Sequence, residues 1–224
     1  MMASRVNVVI PTKSNFTGLA ELLSDLSLDP AVGTICIVAD GQAAFDALPD
    51  PPEHILTITV PEGVGIQHMW NRGIEAVGRD AHIAFLNDDV RLSPECLSSL
   101  ANSLDNDPNI GIICPNYSTV EMAEDRQVFN TCGSRYDGTG GLAGFAMMLR
   151  SDLAKVYSFD EKLTWWYGDD DVLLWVTKTT GLRAVISHQA RCHHADSVTI
   201  RTNPPADFGR LVAEDREYFR AKWS

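Results

Sequence analysis

FLNDDVRLSP, residues 85–94, is the stretch of sequence that does most to indicate the fold. It completes an apolar run that begins at His82 and is typical of a short buried strand. Three polar residues, Asn-Asp-Asp at 87–89, follow the strand, and the Ser-Pro pair at 93–94 predicts the start of a helix. Ligands bind at the carboxyl ends of the strands in an open α/β sheet. The stretch therefore predicts a ligand site at a strand end.

Asp88 and Asp89 allow two interpretations when they are considered alone. Two adjacent aspartates repel each other unless a positive charge lies between them. A divalent cation that holds a phosphate would supply that charge. Asp and Asn are also common in tight turns, so a simple capped turn explains the pair equally well.

The chain around this stretch alternates strands with helices. Buried strands are predicted at residues 5–10, 34–38, 55–60, 82–86 and 110–114, and helices at about 17–28, 66–77 and 94–104. This alternation predicts βαβ units and a mostly parallel sheet. Right-handed crossovers would then bring Thr12, Asp40, Gly65 and Asp89 to one edge of the sheet, which favours a ligand site over a simple turn.

The second half of the chain is less regular. A polar, glycine-rich loop is predicted at 116–141, and loops of this length are usually functional or mobile. Further strands are predicted at 145–149 and 183–187. The tail at 205–223 is amphipathic, so we expect it to pack on the domain or on a partner.

Residues 159–171 form an unusual block that ends in three aspartates (169–171), ahead of a predicted helix at 172–180. Acidic residues in the first turn of a helix suit its dipole, each by roughly 0.3–1 kcal/mol. That effect explains one or two carboxylates well. It does not explain well why three carboxylates follow a pair of tryptophans (165–166).

The composition limits the class of protein. A chain of 224 residues with 45% hydrophobic residues suits one large domain. The net charge of −12 argues against a nucleic-acid surface. Five scattered cysteines predict reduced thiols and a cytoplasmic protein, and no apolar run approaches the ~20 residues of a membrane span.

Several short motifs occur in a recognisable order. They are VVIPT at 8–12, VADG at 38–41, the glycine and NRGI of 65–74, FLNDD at 85–89, and the block 159–171. In this order they resemble glycosyltransferase family 2, nucleotide-sugar enzymes with the GT-A fold. The resemblance spans roughly residues 6–194.

The resemblance implies a single α/β domain of the GT-A (Rossmann-like) type at residues 1–204. Its mostly parallel central sheet would be flanked by helices. Residues 1–115 would form the nucleotide-sugar-binding half and 116–204 the acceptor-binding half, and 205–224 would form a C-terminal amphipathic helix.

The chain also departs from the family pattern. Ala39 and Asn87 replace aspartates, and Gly168 stands where the family's Glu-Asp motif has its glutamate. Gln67 to Trp70 replace small residues at the start of the third helix.

The resemblance implies a bound Mn²⁺ or Mg²⁺ ion, with Asp89 as one ligand and His194 or His193 as the second. Imidazole would favour Mn²⁺ somewhat over Mg²⁺. Both histidines lie in a polar segment predicted to follow residue 187, so a plain surface loop is the alternative interpretation.

A nucleotide-sugar donor is the partner that the resemblance implies at the sheet edge. Thr12 and Asp40 would bind the base or ribose, and Asn87 the ribose or diphosphate. Gly65 lets the backbone come close to a ligand because glycine has no Cβ. The full set predicted to bind the donor is Pro11, Thr12, Asp40, Gly65, Asn71, Asn87 and Asp88.

The acceptor hydroxyl must lose its proton, and in direct inverting displacement a carboxylate acts as the base. The family motif assigns this role to Asp169, or to Asp170 if the alignment slips by one residue. Three clustered acids should raise at least one pKa. Trp165 and Trp166 would form a wall for the acceptor sugar, or else pack in the core.

Two other functions are consistent with the sequence. A nucleotidyltransferase also uses acidic metal ligands, but it would carry a phosphate loop near the first strand that PTKSN (11–15) does not provide. A non-catalytic nucleotide-sugar-binding module would explain the departures from the motifs. The acceptor (a glycan, a protein or a small molecule) stays open. A domain of this size leaves little room for an acceptor site, which a homodimer could complete.

Overall fold

The computed structural model describes residues 4–48, 52, 55–131, 141–195 and 207–224. These residues form an α/β domain with a central mixed sheet, helices on its faces and a C-terminal helix. The predicted fold class is therefore confirmed. The predicted turns at 132–133 and 138–140 lie outside the described residues, as does the first part of the predicted tail, 205–206.

Nine strands and seven α-helices make up the described part of the chain. The strands are β1 Val6–Thr12, β2 Val32–Asp40, β3 Ile55–Val60, β4 His82–Leu86, β5 Val90–Leu92, β6 Ile110–Asn116, β7 Arg126–Val128, β8 Ala146–Leu149 and β9 Arg183–His194. The helices are α1 Phe16–Leu26, α2 Gln42–Asp46, α3 Ile66–Val77, α4 Cys96–Asn106, α5 Ser151–Ala154, α6 Gly168–Leu174 and α7 Phe208–Trp223. A π-helical segment, Trp175–Thr180, continues α6.

The strands follow the order β3-β2-β1-β4-β8-β6-β9-β5, and β7 also pairs with β9. The first four of these strands are mutually parallel. Strand β8 runs antiparallel between β4 and β6, and β5 and β7 are antiparallel to β9. The carboxyl ends of β1, β2 and β4 therefore lie side by side at one edge.

The sheet separates two apolar layers. Val9 packs in the layer that contains α3, whereas Val8 and Ile10 pack in the layer that contains α1 and α4. This division follows from the alternation of side chains along a strand. Helix α3 lies especially close to β1, because a Cβ at Gly73 would be 2.2 Å from a methyl of Val9.

Helix α4 begins at Cys96, so its predicted start at the Ser93-Pro94 pair is wrong. Asp29, far away in sequence, accepts hydrogen bonds from the backbone nitrogens of Leu97 (2.8 Å) and Ser98 (3.2 Å) and so caps the helix. Ser93 instead accepts from the backbone nitrogen of Arg191 at 3.2 Å. A contact distant in sequence decides the start of this helix.

Strand β9 is longer than predicted. The sequence predicts a strand at 183–187 and then a polar loop, but the strand continues to His194. It pairs with β6 first and then, beyond an irregularity in the register after Ser187, with β5. Its polar second half is extended because β5 lies beside it. Among the described residues, no helix has the length and apolar character needed to cross a membrane.

Candidate active site

The end of β4 is tied to the end of β1. Thr12 Oγ1 donates a hydrogen bond of 2.7 Å to Asp88 Oδ2, and Asn15 Nδ2 donates one of 3.0 Å to the Asp88 carbonyl. Burial, together with the charge of Asp89, raises the pKa of Asp88 to about 6, although the bond from Thr12 opposes the rise. These contacts give Asp88 a role in shaping the turn.

Asp89 faces His194. Asp89 Oδ1 lies 3.0 Å from His194 Nε2, and both side chains are largely buried. The pairing of β5 with β9 places His194 here, and the backbone nitrogen of Ala195 donates to the Asp89 carbonyl at 3.1 Å. The ring of Phe145 stacks on the imidazole with centroids 4.0 Å apart and planes within 3°. The pair is held in place by both backbone and ring contacts.

The two histidines occupy different environments. His193 is exposed and sits opposite Arg91 in the β5–β9 ladder, whereas His194 is partly buried beside Asp89. Neighbouring residues of a strand point to opposite faces, so the two cannot both approach the same ion.

The Asp89–His194 pair fits a divalent cation. A carboxylate oxygen and an imidazole nitrogen are ligands that Mn²⁺ accepts. Within the ranges that the structure covers, no three His, Cys, Asp or Glu side chains converge as a metal-binding group. Asp89 Oδ1 and His194 Nε2 are the atoms of this pair that could hold such an ion.

Asp40 at the end of β2 forms an ion pair with a lysine of the protein. Its Oδ1 accepts a hydrogen bond of 2.7 Å from the backbone nitrogen of Gly63, and its Oδ2 lies 3.2 Å from Lys13 Nζ. Lys13 also lies 3.3 Å from Glu62. Asp40 is buried, so this cluster closes one side of the sheet edge.

The three aspartates at the start of α6 differ sharply from one another. Asp171 is buried and accepts hydrogen bonds from Tyr157 Oη (3.3 Å) and Trp223 Nε1 (2.8 Å), and Lys222 Nζ lies 2.7 Å away. Asp170 accepts a hydrogen bond of 2.8 Å from Thr131 Oγ1. Asp171 is thus a structural residue.

Asp169 has the most perturbed environment of the three. Burial, and then the charge of Asp170, raise the pKa of Asp169 to about 7. Burial also raises the pKa of Asp170, but the hydrogen bond from Thr131 opposes it. The backbone at Gly144 presses against Asp169, because a Cβ there would be 2.4 Å from Oδ2. Glycine at 144 therefore makes room for this carboxylate.

Gly168 and Gln67 are in direct contact. A Cβ at Gly168 would lie 2.4 Å from the terminal amide group of Gln67, and Gln67 is 1% exposed. Gln67 therefore fills the space beside Gly168. Both residues are among the departures from the family pattern that the sequence predicts, and the structure brings them into contact.

Trp165 and Trp166 lie outside the apolar core. Trp165 is partly buried, Trp166 is 37% exposed, and its ring lies 6.2 Å from that of Phe208 in α7. Of the two interpretations of this pair, core packing does not describe it. Its predicted contact with an acceptor stays a prediction.

The remaining residues predicted to bind the donor have contacts within the protein. Asn71 donates to the Phe159 carbonyl and to Glu161, and accepts from the Phe159 backbone nitrogen, all within 2.9 Å. Gly65 has a φ of 95° and faces the Thr164 carbonyl, 2.4 Å from where a Cβ would be. These contacts are structural.

Pro11 and Asn87 lie at the sheet edge itself. Pro11 is buried and pairs with Val38 in the β1–β2 ladder, and Asn87 is partly buried and donates its backbone N–H to the Phe145 carbonyl at 2.9 Å. The donor-binding roles predicted for these residues, as for Asn71 and Gly65, stay predictions.

Sequence reasoning missed Asp215 in α7, which is 3% exposed and accepts three backbone hydrogen bonds from residues 164–166. One signal could have found it. Asp215 lies midway between Leu211 and Phe219 at a spacing of four residues, so a charged side chain interrupts the apolar stripe of this helix.

The fold and the site together define a Rossmann-like α/β protein with an aspartate–histidine pair at the carboxyl edge of its sheet. A model of glycosyl transferase family 2 matches residues 7–156, about two thirds of the chain. The chain belongs to glycosyltransferase family 2. The match stops before the block that carries Trp165 and Asp169.

Several solved structures share the fold. GalNAc-T7, solved with UDP, GalNAc and Mn²⁺, is 12% identical with a TM-score of 0.67, and the match covers 98% of this chain and 50% of that one. The mannosyltransferase PcManGT from Pyrobaculum calidifontis, in complex with GDP-Man and Mn²⁺, is 15% identical with a TM-score of 0.63, covering 99% and 72%. TarS (1–349) from S. aureus is 14% identical with a TM-score of 0.59, covering 98% and 72%.

This chain therefore spans half the length of GalNAc-T7 and somewhat more of the other two. No match was found among curated protein sequences.

Proposed function

We propose that this protein transfers a sugar from a nucleotide-diphosphate donor to an acceptor hydroxyl with the help of a divalent cation. The observation that carries the proposal is the buried approach of Asp89 to His194, 3.0 Å apart at the carboxyl edge of the sheet. Membership of glycosyltransferase family 2 supports it. So do two structural neighbours solved with Mn²⁺ and either UDP or GDP-mannose.

Asp89 and His194 would hold the cation, which is Mn²⁺ or Mg²⁺. When bound, the ion would supply positive charge to the diphosphate that leaves the sugar. Thr12 and Asp88 support this site by fixing the turn that precedes Asp89. Asp40 ends β2 and Asn87 follows β4, the two strands on either side of β1, and there they would contact the nucleoside.

Asp169 is the residue that we propose as the general base of an inverting transfer. A base works best when its pKa lies near the operating pH, and the pKa of Asp169 is raised to about 7. Asp170 is less suited to the role, because Thr131 donates a hydrogen bond to its carboxylate and so stabilises the ionised form. Trp165 and Trp166, ahead of Asp169 in the chain, would offer rings to the acceptor.

The metal assignment is tested with a matched pair of histidine variants. Wild type and His193→Ala should melt at a higher temperature when Mn²⁺ and the right nucleoside diphosphate are added. His194→Ala and Asp89→Asn should lose this shift because each lacks a ligand. A ligand present at 100 times its dissociation constant adds about 2.7 kcal/mol of stability.

The probes are UDP and GDP, each with Mn²⁺ and with EDTA as the metal-free control. Transfer is followed with the corresponding nucleotide sugars by release of the nucleoside diphosphate. The assignment is wrong if His194→Ala keeps the full shift and the full release rate, or if His193→Ala alone loses them.

A non-catalytic nucleotide-sugar-binding module is the second candidate. The observation that favours it is the contact of Gly168 with Gln67, which leaves no side chain where the family has a glutamate. Nucleotide binding in calorimetry without any release of nucleoside diphosphate, in the presence of varied acceptors, would support this candidate.

A cytoplasmic location is consistent with the cysteines. Within the described part of the chain, Cys36 and Cys96 are buried free thiols. Burial raises the pKa of both Cys36 and Cys96 to about 12, so these two thiols are unreactive.

A further inference from the structure

We propose that Asp215 in the C-terminal helix is a positioning residue for the acceptor. It would hold the loop that carries Trp165 and Trp166 in the one conformation that receives an acceptor beside Asp169. This inference rests on the proposed function for its link to the acceptor. Its structural part rests on the contacts of α7.

Asp215 binds the loop backbone directly. Its Oδ1 accepts from the nitrogen of Thr164 at 3.0 Å, and its Oδ2 accepts from those of Trp165 at 2.8 Å and Trp166 at 2.9 Å. Hydrogen bonds to an ionised acceptor are about twice as strong as neutral ones. Three consecutive N–H groups thus converge on one carboxylate that is 3% exposed.

The opposite side of the loop is held by α3. With its amide nitrogen turned toward the loop, Gln67 donates to the carbonyls of Leu163 and Thr164, both at 2.7 Å. The backbone nitrogen of Ile66 also donates to the Thr164 carbonyl at 3.0 Å. The loop is therefore fixed through its carbonyls by α3 and through its nitrogens by Asp215.

Helix α7 also holds the two ends of the segment. Asp160 accepts from Tyr218 Oη and from Lys222 Nζ, each at 2.9 Å. At the far end, Asp171 is bound by Lys222 and Trp223 of the same helix. Between these ends, Asp215 binds the backbone where the loop carries its two tryptophans.

The backbone at Tyr167 has an unfavourable conformation, which contacts with α7 would help to maintain. Tyr167 has a φ of 65°, a left-handed conformation that non-glycine residues rarely adopt and that costs on the order of 1 kcal/mol. Its ring stacks on Phe219 of α7 with centroids 5.1 Å apart. Tyr167 directly precedes α6, so the conformation of the loop also sets the approach of the chain to Asp169.

Hydrogen exchange tests the positioning without any activity assay. We expect the amides of 164–166 to exchange faster in Asp215→Ala than in wild type, with Asp215→Asn between them because it keeps one acceptor oxygen. The control is Glu214→Gln, the neighbouring residue of α7, which is exposed and pairs only with Arg210 within the described residues. It should match wild type.

Kinetics tests the role in the acceptor site. With the nucleotide sugar that wild type uses and a panel of p-nitrophenyl glycosides as acceptors, Asp215→Asn should raise KM for the acceptor about tenfold or more. KM for the donor should stay within about twofold, and so should hydrolysis of the donor by water. A general loss of stability would not separate donor from acceptor in this way.

The outcomes are distinct. The proposal is overturned if the amides of 164–166 exchange at the wild-type rate in both Asp215 variants, or if donor and acceptor KM change together. If the wild-type protein transfers sugar to no acceptor, both the acceptor role of Asp215 and the proposed function are overturned. Faster exchange in Asp215→Ala would in that case still support the positioning of the loop.

Discussion

At the scale of single residues, the acid cluster at the start of α6 shows how position separates three identical side chains. Asp171 is bound by α7, Asp170 by Thr131, and Asp169 carries the pKa raised to about 7. Burial raises the pKa of both Asp169 and Asp170, but the hydrogen bond from Thr131 opposes the rise at Asp170. The sequence predicts that clustering raises at least one pKa. The identity of the aspartate with the raised pKa depends on partners that are distant in the chain.

We expect the transfer rate to rise with pH through an apparent pKa near 7, because the proposed base, Asp169, must be ionised. Asp170→Asn should lower that apparent pKa, since it removes a neighbouring negative charge that disfavours ionisation. Asp152→Asn, at an exposed acid, is the control and should leave the profile unchanged. A flat profile, or an upward shift in Asp170→Asn, would contradict the assignment.

The same raised pKa has a consequence for stability. The folded state holds the Asp169 proton more tightly than the unfolded chain, so the free energy of unfolding contributed by this residue falls as pH rises from about 4 to about 7. Asp169→Asn abolishes this loss. Its stability relative to wild type should therefore be greater at about pH 8 than at about pH 5 in denaturant unfolding.

At the scale of elements, α3 connects the sheet to the segment of residues 159–171. Gly73 lets it lie against β1, Asn71 bonds the backbone of Phe159, and Gln67 fills the space beside Gly168 at the start of α6. Gln67 is one of the bulkier residues at the start of this helix, and it contacts Gly168, the first residue of α6.

The contact between α3 and α6 leads to a prediction for Gly168→Ala. The new Cβ would be 2.4 Å from the terminal amide group of Gln67, so Gln67 must move and release its bonds to the loop. We expect a loss of about 1–3 kcal/mol in the free energy of unfolding. Gln67→Ala in the same chain should restore part of it.

Gly209→Ala is the control for this substitution. Gly209 lies in α7, and a Cβ added there would meet no heavy atom of another described segment within 4 Å, so alanine should be neutral or slightly stabilising. Denaturant unfolding of the three variants measures the effect. If Gly168→Ala is as stable as Gly209→Ala, the contact between the two helices does not limit residue 168.

Elements with a strong local pattern could be predicted from the sequence, and those set by distant partners could not. Helix α3 and strand β4 have the predicted bounds, because a glycine turn and a continuous apolar run mark them. Helix α4 is shifted because Asp29 caps it, and β9 is longer because β5 pairs with its polar half. Both of these partners are distant in sequence.

At the scale of the whole molecule, the part that matches the family is not a complete sheet. The match ends at residue 156, before β9, yet β9 pairs with β5, β6 and β7. Strands β5 and β7 therefore pair with a strand, β9, that lies outside the matched residues. The same strand supplies His194.

We expect a fragment of residues 1–156 to lack a cooperative unfolding transition, because it leaves β5, β6 and β7 without the strand that joins them. A fragment of residues 1–195 keeps β9 and loses α7. It should unfold cooperatively at a lower denaturant concentration than the full chain. Circular dichroism during denaturation measures both, and cooperative unfolding of 1–156 would show that β9 is dispensable.

The site could be predicted in outline for a physical reason. Parallel topology forces the ends of β1, β2 and β4 together, so Thr12, Asp40 and Asp89 could be grouped from the order of strands and helices along the chain. The choice between His193 and His194 depends on the register of an antiparallel pair, which the sequence does not encode locally. Asp215 was missed because its partners are backbone amides about fifty residues earlier.

The number of residues in the register irregularity of β9 determines which histidine faces Asp89. Within its pairing with β6, the partners of the consecutive residues Pro115 and Asn116 jump from Ser187 to Arg191. One residue inserted into this extra length, with the β5 pairing unchanged, would move every later residue back by one position and bring His193 to the place opposite Val90 that His194 now holds. In this variant a further His193→Ala change should abolish the Mn²⁺-dependent melting shift, whereas His194→Ala should leave it intact. A change of chain length, with every ligand intact, would be enough to exchange the histidine that serves this site.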